Sequence, residues 1–111
     1  MDLYRFIIAL AAFGFALAVL QGGAIAQGEV GRGQAYAEKN CGRCHALGRE
    51  GDSPLEKAPP FRTLGDKWPV EYLAEALAEG IVTGHADMPE FVLNPQEIDD
   101  FLAYLKSLQL K

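Results

Sequence analysis

Few side chains in this 111-residue chain can do chemistry beyond surface proton exchange: two cysteines, two histidines and two methionines. Both cysteines and one histidine fall in a single pentapeptide, Cys41-Gly42-Arg43-Cys44-His45. Cysteines three positions apart on one turn of chain can reach the two vinyl groups of one porphyrin and form thioethers. The adjacent His45 then projects its imidazole to the iron from the same side. Cys-x-x-Cys-His is the attachment pattern of a c-type haem, so one covalently attached haem c with its iron is the expected cofactor. Other uses of these residues fit less well. A Cys41–Cys44 redox disulfide of thioredoxin type belongs in a βαβ setting. Tetrahedral zinc needs four ligands, and the second histidine, His85, lies forty residues beyond His45. Two unreacted thiols in an exported protein would be prone to oxidation.

The elements around this motif read as helices, and no run alternates well enough to be a strand. Val30–Asn40 is helical despite Gly31 and Gly33, each of which costs about 1 kcal/mol relative to Ala. Gly33 and Ala37 lie four apart on one face, so the glycine is expected to let another helix approach closely. A second helix is expected over Pro69–Glu79, with Pro69 at the first helical position and Gly80 at the carboxyl cap. Val70, Leu73, Ala74, Leu77 and Ile81 form its apolar stripe, while Glu71, Glu75 and Glu79 line another face, either solvated or an acidic docking stripe. In the third, Asn94-Pro95-Gln96-Glu97 supplies a cap, a first-position proline and a third-position glutamate, followed by Ile98, Phe101, Leu102, Leu105 and Leu108 at helical spacing. From Cys41 to Trp68 runs a long segment rich in Gly, Pro and charge. So long a loop inside a compact domain is evidence that it wraps something.

Length and composition set the frame. One small domain fits, and a net charge of −5 argues against nucleic acid as the partner. Two cysteines cannot build a disulfide-dense scaffold, so the small core needs another stabiliser. The 50% apolar content is inflated by the amino terminus. Phe6 to Leu20 is uninterruptedly apolar, and Ala24-Ile25-Ala26 matches the small-x-small pattern of signal peptidase. A transmembrane span needs about 20 apolar residues, and this run ends earlier, at Gln21 and two glycines. Residues 1–26 are therefore expected to be a signal peptide and 27–111 the folded domain, exported to the periplasm, with an uncleaved amino-terminal anchor as the alternative.

Nearly all of the folded part, Gly31 to Leu108, resembles the class I c-type cytochromes, especially the small bacterial periplasmic monohaem proteins. The likeness rests on Gly33-x-x-Tyr36-Ala37 before the Cys-x-x-Cys-His motif, on Ala58-Pro59-Pro60-Phe61, on Met88-Pro89-Glu90-Phe91 and on Phe101-x-x-Tyr104-Leu105. The resemblance implies an all-α, small cytochrome c fold: three main helices and loops wrapped around one haem. It implies that Gly33 of the first helix crosses Phe101 and Tyr104 of the last, and that Pro59 offers its carbonyl to Nδ1–H of the ligating His45. It also implies Met88 as the sixth iron ligand.

Met88 is the only methionine after residue 26 and lies in a polar loop, Gly84-His85-Ala86-Asp87-Met88-Pro89, which is not where a core-filling methionine is usual. His85, giving bis-histidine iron, and an open sixth site remain alternatives. Trp68 either donates its indole N–H to a haem propionate or packs as a ring.

His/Met iron is coordinatively saturated, so the expected function is single-electron carriage between redox protein donors and acceptors, with no catalysis of its own. A haem subunit permanently docked to a periplasmic dehydrogenase or oxidase complex is the alternative. A monomer is expected, with membrane contact only through an uncleaved amino-terminal segment or a membrane-bound partner. Charge is unevenly placed: residues 30–67 hold 7 basic and 5 acidic groups, residues 68–111 hold 2 and 8. The attachment half is the expected face for an acidic partner.

Overall fold

The computed structural model describes residues 28–83 and 85–109. The expected signal peptide, residues 1–26, lies outside them. Three α-helices form: α1 (Val30–Asn40), α2 (Leu73–Glu79) and α3 (Pro95–Leu108). Short 3-10 turns cover Phe61–Thr63 and Val70–Tyr72, and no strand occurs among the described residues. None of the described helices is long and apolar enough to cross a membrane.

The two glycines of α1 have opposite surroundings. Around Gly31 there is open space, whereas a Cβ on Gly33 would lie 2.0 Å from the Asp100 carbonyl oxygen and 2.8 Å from Tyr104 Cβ. The backbones of α1 and α3 therefore touch at Gly33, as the close-approach reading of this glycine requires. Tyr104 is the expected neighbour, and the atom nearest to such a Cβ is the Asp100 carbonyl oxygen, one residue before the expected Phe101. Residues 100 and 104 stack on one helical face four apart, and Phe101 is turned about 100° round the axis. Its ring meets Tyr36 edge-on at 5.7 Å and Phe61 at 5.9 Å.

Asp100 also ties the amino end of α1 to α3. Its buried carboxylate accepts from the Glu29 amide at 2.8 Å, from Arg32 Nε at 2.8 Å and Nη2 at 3.1 Å, and from Gln96 Nε2 at 3.0 Å. The Arg32 hydrogen bonds, followed by the Glu29 amide, hold the Asp100 carboxyl down at about 2. A carboxyl lowered in the folded state adds stability above its unfolded pKa, near 3.9, and that gain is lost as pH falls through the folded value. Asp100→Asn is therefore expected to be less stable than wild type at neutral pH, with the gap closing between about pH 4 and about pH 2. Urea unfolding at stepped pH reads this directly, and a gap that stays constant down to pH 2 would contradict it.

The second helix starts later than its sequence suggests. Pro69 precedes the helical turns with extended backbone (φ −55°, ψ 135°) and accepts from the Tyr72 amide at 3.1 Å. Placing Pro69 at the first helical position would make Trp68 the cap, and an indole offers no acceptor for the orphan amides. The chain winds first as a 3-10 turn and becomes α-helical at Leu73. Gly80 ends the helix at φ +103°, a left-handed conformation suited to glycine. The apolar stripe packs into the core, and the Leu93 amide donates to the Leu77 carbonyl at 2.9 Å, folding the chain back toward α3. Glu71, Glu75 and Glu79 are all exposed, and Glu71 pairs with Lys106 of α3 at 2.7 Å. With one charge paired across to α3, this is a solvated face rather than a uniform acidic stripe.

The third helix opens on the full capping box: Asn94 Oδ1 accepts from the Glu97 amide and Glu97 Oε2 from the Asn94 amide, each at 2.9 Å. Its apolar face supplies half of the core cluster, with Leu105 fully buried. The carboxyl half of α3 also pins the long loop. Tyr104 Oη donates to the Leu47 carbonyl, and Gln109 both donates to the Phe61 carbonyl at 2.7 Å and accepts from the Gly65 amide at 2.9 Å.

Candidate haem-binding site

The attachment motif is a turn growing out of α1. The amides of Cys41 and Gly42 donate to the Ala37 carbonyl at 2.8 and 3.0 Å, and those of Cys44 and His45 donate to the Cys41 carbonyl at 3.1 and 3.0 Å. Winding the chain this tightly places Cys41, Cys44 and His45 along one cavity of about 390 Å³, a volume in the range of small-molecule sites. Most of the wall is apolar: Tyr36 from α1, Leu73 and Leu77 from α2, Phe101 from α3, with Phe61, Leu64, Phe91 and Leu93 between them. This is what the Cys41–Trp68 loop encloses.

His45 is held on two sides. Nδ1 lies 2.8 Å from the Pro59 carbonyl oxygen, and the Phe61 ring sits 5.0 Å away, tilted by 46°. A carbonyl can only accept, so this contact places the imidazole proton on Nδ1 and leaves the Nε2 lone pair free. The Phe61 amide donates to the Ala46 carbonyl at 2.9 Å, which anchors the ring that backs the histidine.

Cys41 and Cys44 are not joined to each other. As a thiol, Cys41 is pushed up to about 11, first by burial and then by the neighbouring Cys44. Among the described residues no group of three or more His, Cys, Asp or Glu could hold a metal ion, and no strand offers a βαβ setting.

Met88 lines the same cavity and is half-buried; its amide donates to the His85 carbonyl at 3.1 Å, closing a turn. His85 also lines the cavity but is exposed. Trp68 is neither a packed ring nor part of the lining; it is 68% exposed. Lys57, Asn40 and Thr83 supply polar atoms to the wall that no local pattern announces. Phe61, by contrast, belongs to the Ala58-Pro59-Pro60-Phe61 segment, and its role beside His45 is the structural use of that tetrapeptide.

Paired thiols, an imidazole with one free nitrogen and a thioether sulfur around an apolar cavity match the chemistry of covalent haem attachment. Such a site in an all-helical fold defines a c-type haem protein. A family model described as Cytochrome c matches residues 30–109, and the chain belongs to that family. It binds haem c covalently and acts as a haem-based electron carrier whose partners are redox proteins. A cytochrome c-553-like protein of Synechocystis sp. (strain ATCC 27184 / PCC 6803 / Kazusa) is 29% identical over 82 residues, covering 74% of this chain and 71% of that protein. No solved structure matches significantly.

Proposed function

We propose that this protein is an exported, diffusible carrier of single electrons, with its iron held by His45 and Met88. The observation that carries this reading is the Nδ1 contact of His45 with the Pro59 carbonyl, made in the cavity that Met88 also lines. When bound, haem c supplies a one-electron Fe(III)/Fe(II) couple. Cys41 and Cys44 tether the group by thioethers, so the carrier keeps it through every oxidation cycle. The Pro59 carbonyl fixes the His45 tautomer and increases the basicity of Nε2. Met88 contributes a soft, neutral sulfur that favours the reduced state and raises the potential. The apolar wall of Tyr36, Leu73, Leu77 and Phe101 excludes water. With His45 and Met88 both holding the iron, no position would remain for a substrate, hence transfer without catalysis. His85, being exposed, keeps its hydration and is the weaker candidate for the sixth position.

Export and cleavage after Ala26 belong to the same reading. Gly28, two residues beyond that point, is already packed so tightly that a Cβ would lie 2.0 Å from the Asp99 carbonyl oxygen.

The visible spectrum of the haem-loaded periplasmic protein tests the site. A low-spin spectrum with a methionine-to-ferric charge-transfer band is expected, and high-spin iron that binds carbon monoxide would overturn the reading. The charge asymmetry gives a second expectation. Association with an acidic redox partner should slow by roughly tenfold between low and physiological salt, as screening weakens the pull of Lys39, Arg43, Lys57 and Lys67. Stopped-flow electron transfer across ionic strength measures this, and a flat rate would count against it.

A second reading, a haem subunit held permanently in a larger complex, draws on the exposed apolar side chains of Trp68, Tyr72, Val82 and Val92. A monomer-sized, haem-bearing species in size-exclusion chromatography of periplasmic extract supports the diffusible carrier; quantitative co-elution with a larger redox enzyme supports the subunit.

A further inference from the structure

A second concavity, of about 260 Å³, is lined by Arg49, Arg62, Thr63 and Leu108, none of which lines the haem cavity. Two arginines thus line one small space, and each is tethered to the backbone. Arg49 Nη2 donates to the Ser107 carbonyl at 3.2 Å, and Arg62 Nη1 donates to the Gly51 carbonyl at 2.8 Å. Each guanidinium carries several N–H donors, so one bond to a backbone carbonyl orients it and leaves the rest of the fork free.

Among the described residues no carboxylate pairs with either of them. Ion pairs among the described residues are Arg32 with Glu29, Arg32 with Asp100, and Lys106 with Glu71. Glu50 and Asp52 are close in sequence, yet neither lines the concavity nor pairs with Arg49 or Arg62. Thr63 gives its hydroxyl proton to the Pro60 carbonyl at 2.8 Å, so among the described lining residues the uncommitted side-chain donors belong to Arg49 and Arg62, and Leu108 contributes an apolar side chain.

We infer that Arg49 and Arg62 form a pocket for an oxyanion, a phosphate or a carboxylate, separate from the haem cavity. A tetrahedral or planar anion between two guanidinium forks accepts charge-assisted, bidentate hydrogen bonds. The anion can be free in solution or carried on a partner's surface. The pocket lies in the basic half of the chain, so the overall charge of −5 opposes binding less there than elsewhere.

The test is a titration of the reduced, haem-loaded protein, followed by the NMR signals of the Arg49 and Arg62 side-chain Nε–H groups. One arm uses inorganic phosphate and the other sodium acetate, both at constant ionic strength. Saturating shifts with phosphate alone assign the pocket to phosphate; saturation with both assigns it to oxyanions in general, partner carboxylates included. Arg49→Gln and Arg62→Gln should each weaken binding by about tenfold or more, with unchanged haem bands showing that the fold is intact. Lys67→Gln removes the same charge outside the pocket and should have little effect. Shifts that stay linear in both arms, or equal weakening by Lys67→Gln, would overturn the inference.

Discussion

Gly33→Ala is expected to destabilise the haem-loaded protein by about 3 kcal/mol, at the upper end of what overpacking a tight contact costs. Helix propensity alone points the other way, since alanine in a helix interior is favoured over glycine by about 1 kcal/mol. The sign is decided by contact. A Cβ at this position would lie 2.0 Å from a backbone oxygen of α3, which has no rotamer by which to retreat. The helices would have to part, and with them the Asp100 bonds that cross the same junction. Gly31→Ala, two residues earlier in the same helix, meets nothing within 4 Å, and it should stabilise by about 0.5 kcal/mol. Guanidinium unfolding followed by haem absorbance measures both. Opposite signs are expected, and a Gly33→Ala protein as stable as Gly31→Ala would mean that the helices do not meet at this glycine.

Met88→Ala should lose the methionine-to-ferric charge-transfer band and lower the reduction potential by on the order of 100 mV or more, within the range of about 0.8 V that axial ligands span. Attachment should survive, because Cys41, Cys44 and His45 are untouched. The comparison that makes this decisive is His85→Ala. Both residues line the cavity, and only the half-buried one is assigned the sixth position. His85→Ala should leave band and potential as they are. If His85→Ala moves them and Met88→Ala does not, the iron is bis-histidine and the His45/Met88 assignment fails.

Local rules made much of this molecule legible. The Asn94–Glu97 box, with Pro95 behind the cap, marks the start of α3 to the residue, because capping is settled by neighbours three positions away. The Cys41–His45 turn is equally local, whereas the place of Pro59 beside His45 is legible only through the family resemblance that Ala58-Pro59-Pro60-Phe61 carries. What escaped depends on distant partners. The tightest contact at Gly33 is with the backbone carbonyl of Asp100, and a backbone contact leaves no trace in the type of residue that makes it. Asp100 looks like one more surface acid in sequence, and only the arrival of Glu29 and Arg32 from the other end of the chain makes it a buried acceptor. The late start of α2 follows from what Trp68 lacks as a cap. Arg49 and Arg62 are thirteen residues apart in a charged loop, and nothing in their spacing announces a shared concavity.

The Glu29–Asp100 hydrogen bond joins residues separated by 71 positions, and Arg32–Asp100 by 68. Bringing together the ends of so long a segment costs about 4 kcal/mol of chain entropy before any contact rewards it. The junction of α1 and α3 therefore cannot form until the chain has been made as far as Asp100. Until it forms, the pentapeptide that follows α1 sits on an open polypeptide with both thiols within reach. The bonds that Asp100 makes to Glu29 and Arg32 thus act as a clasp, joining the two ends of the segment that carries the whole haem cavity.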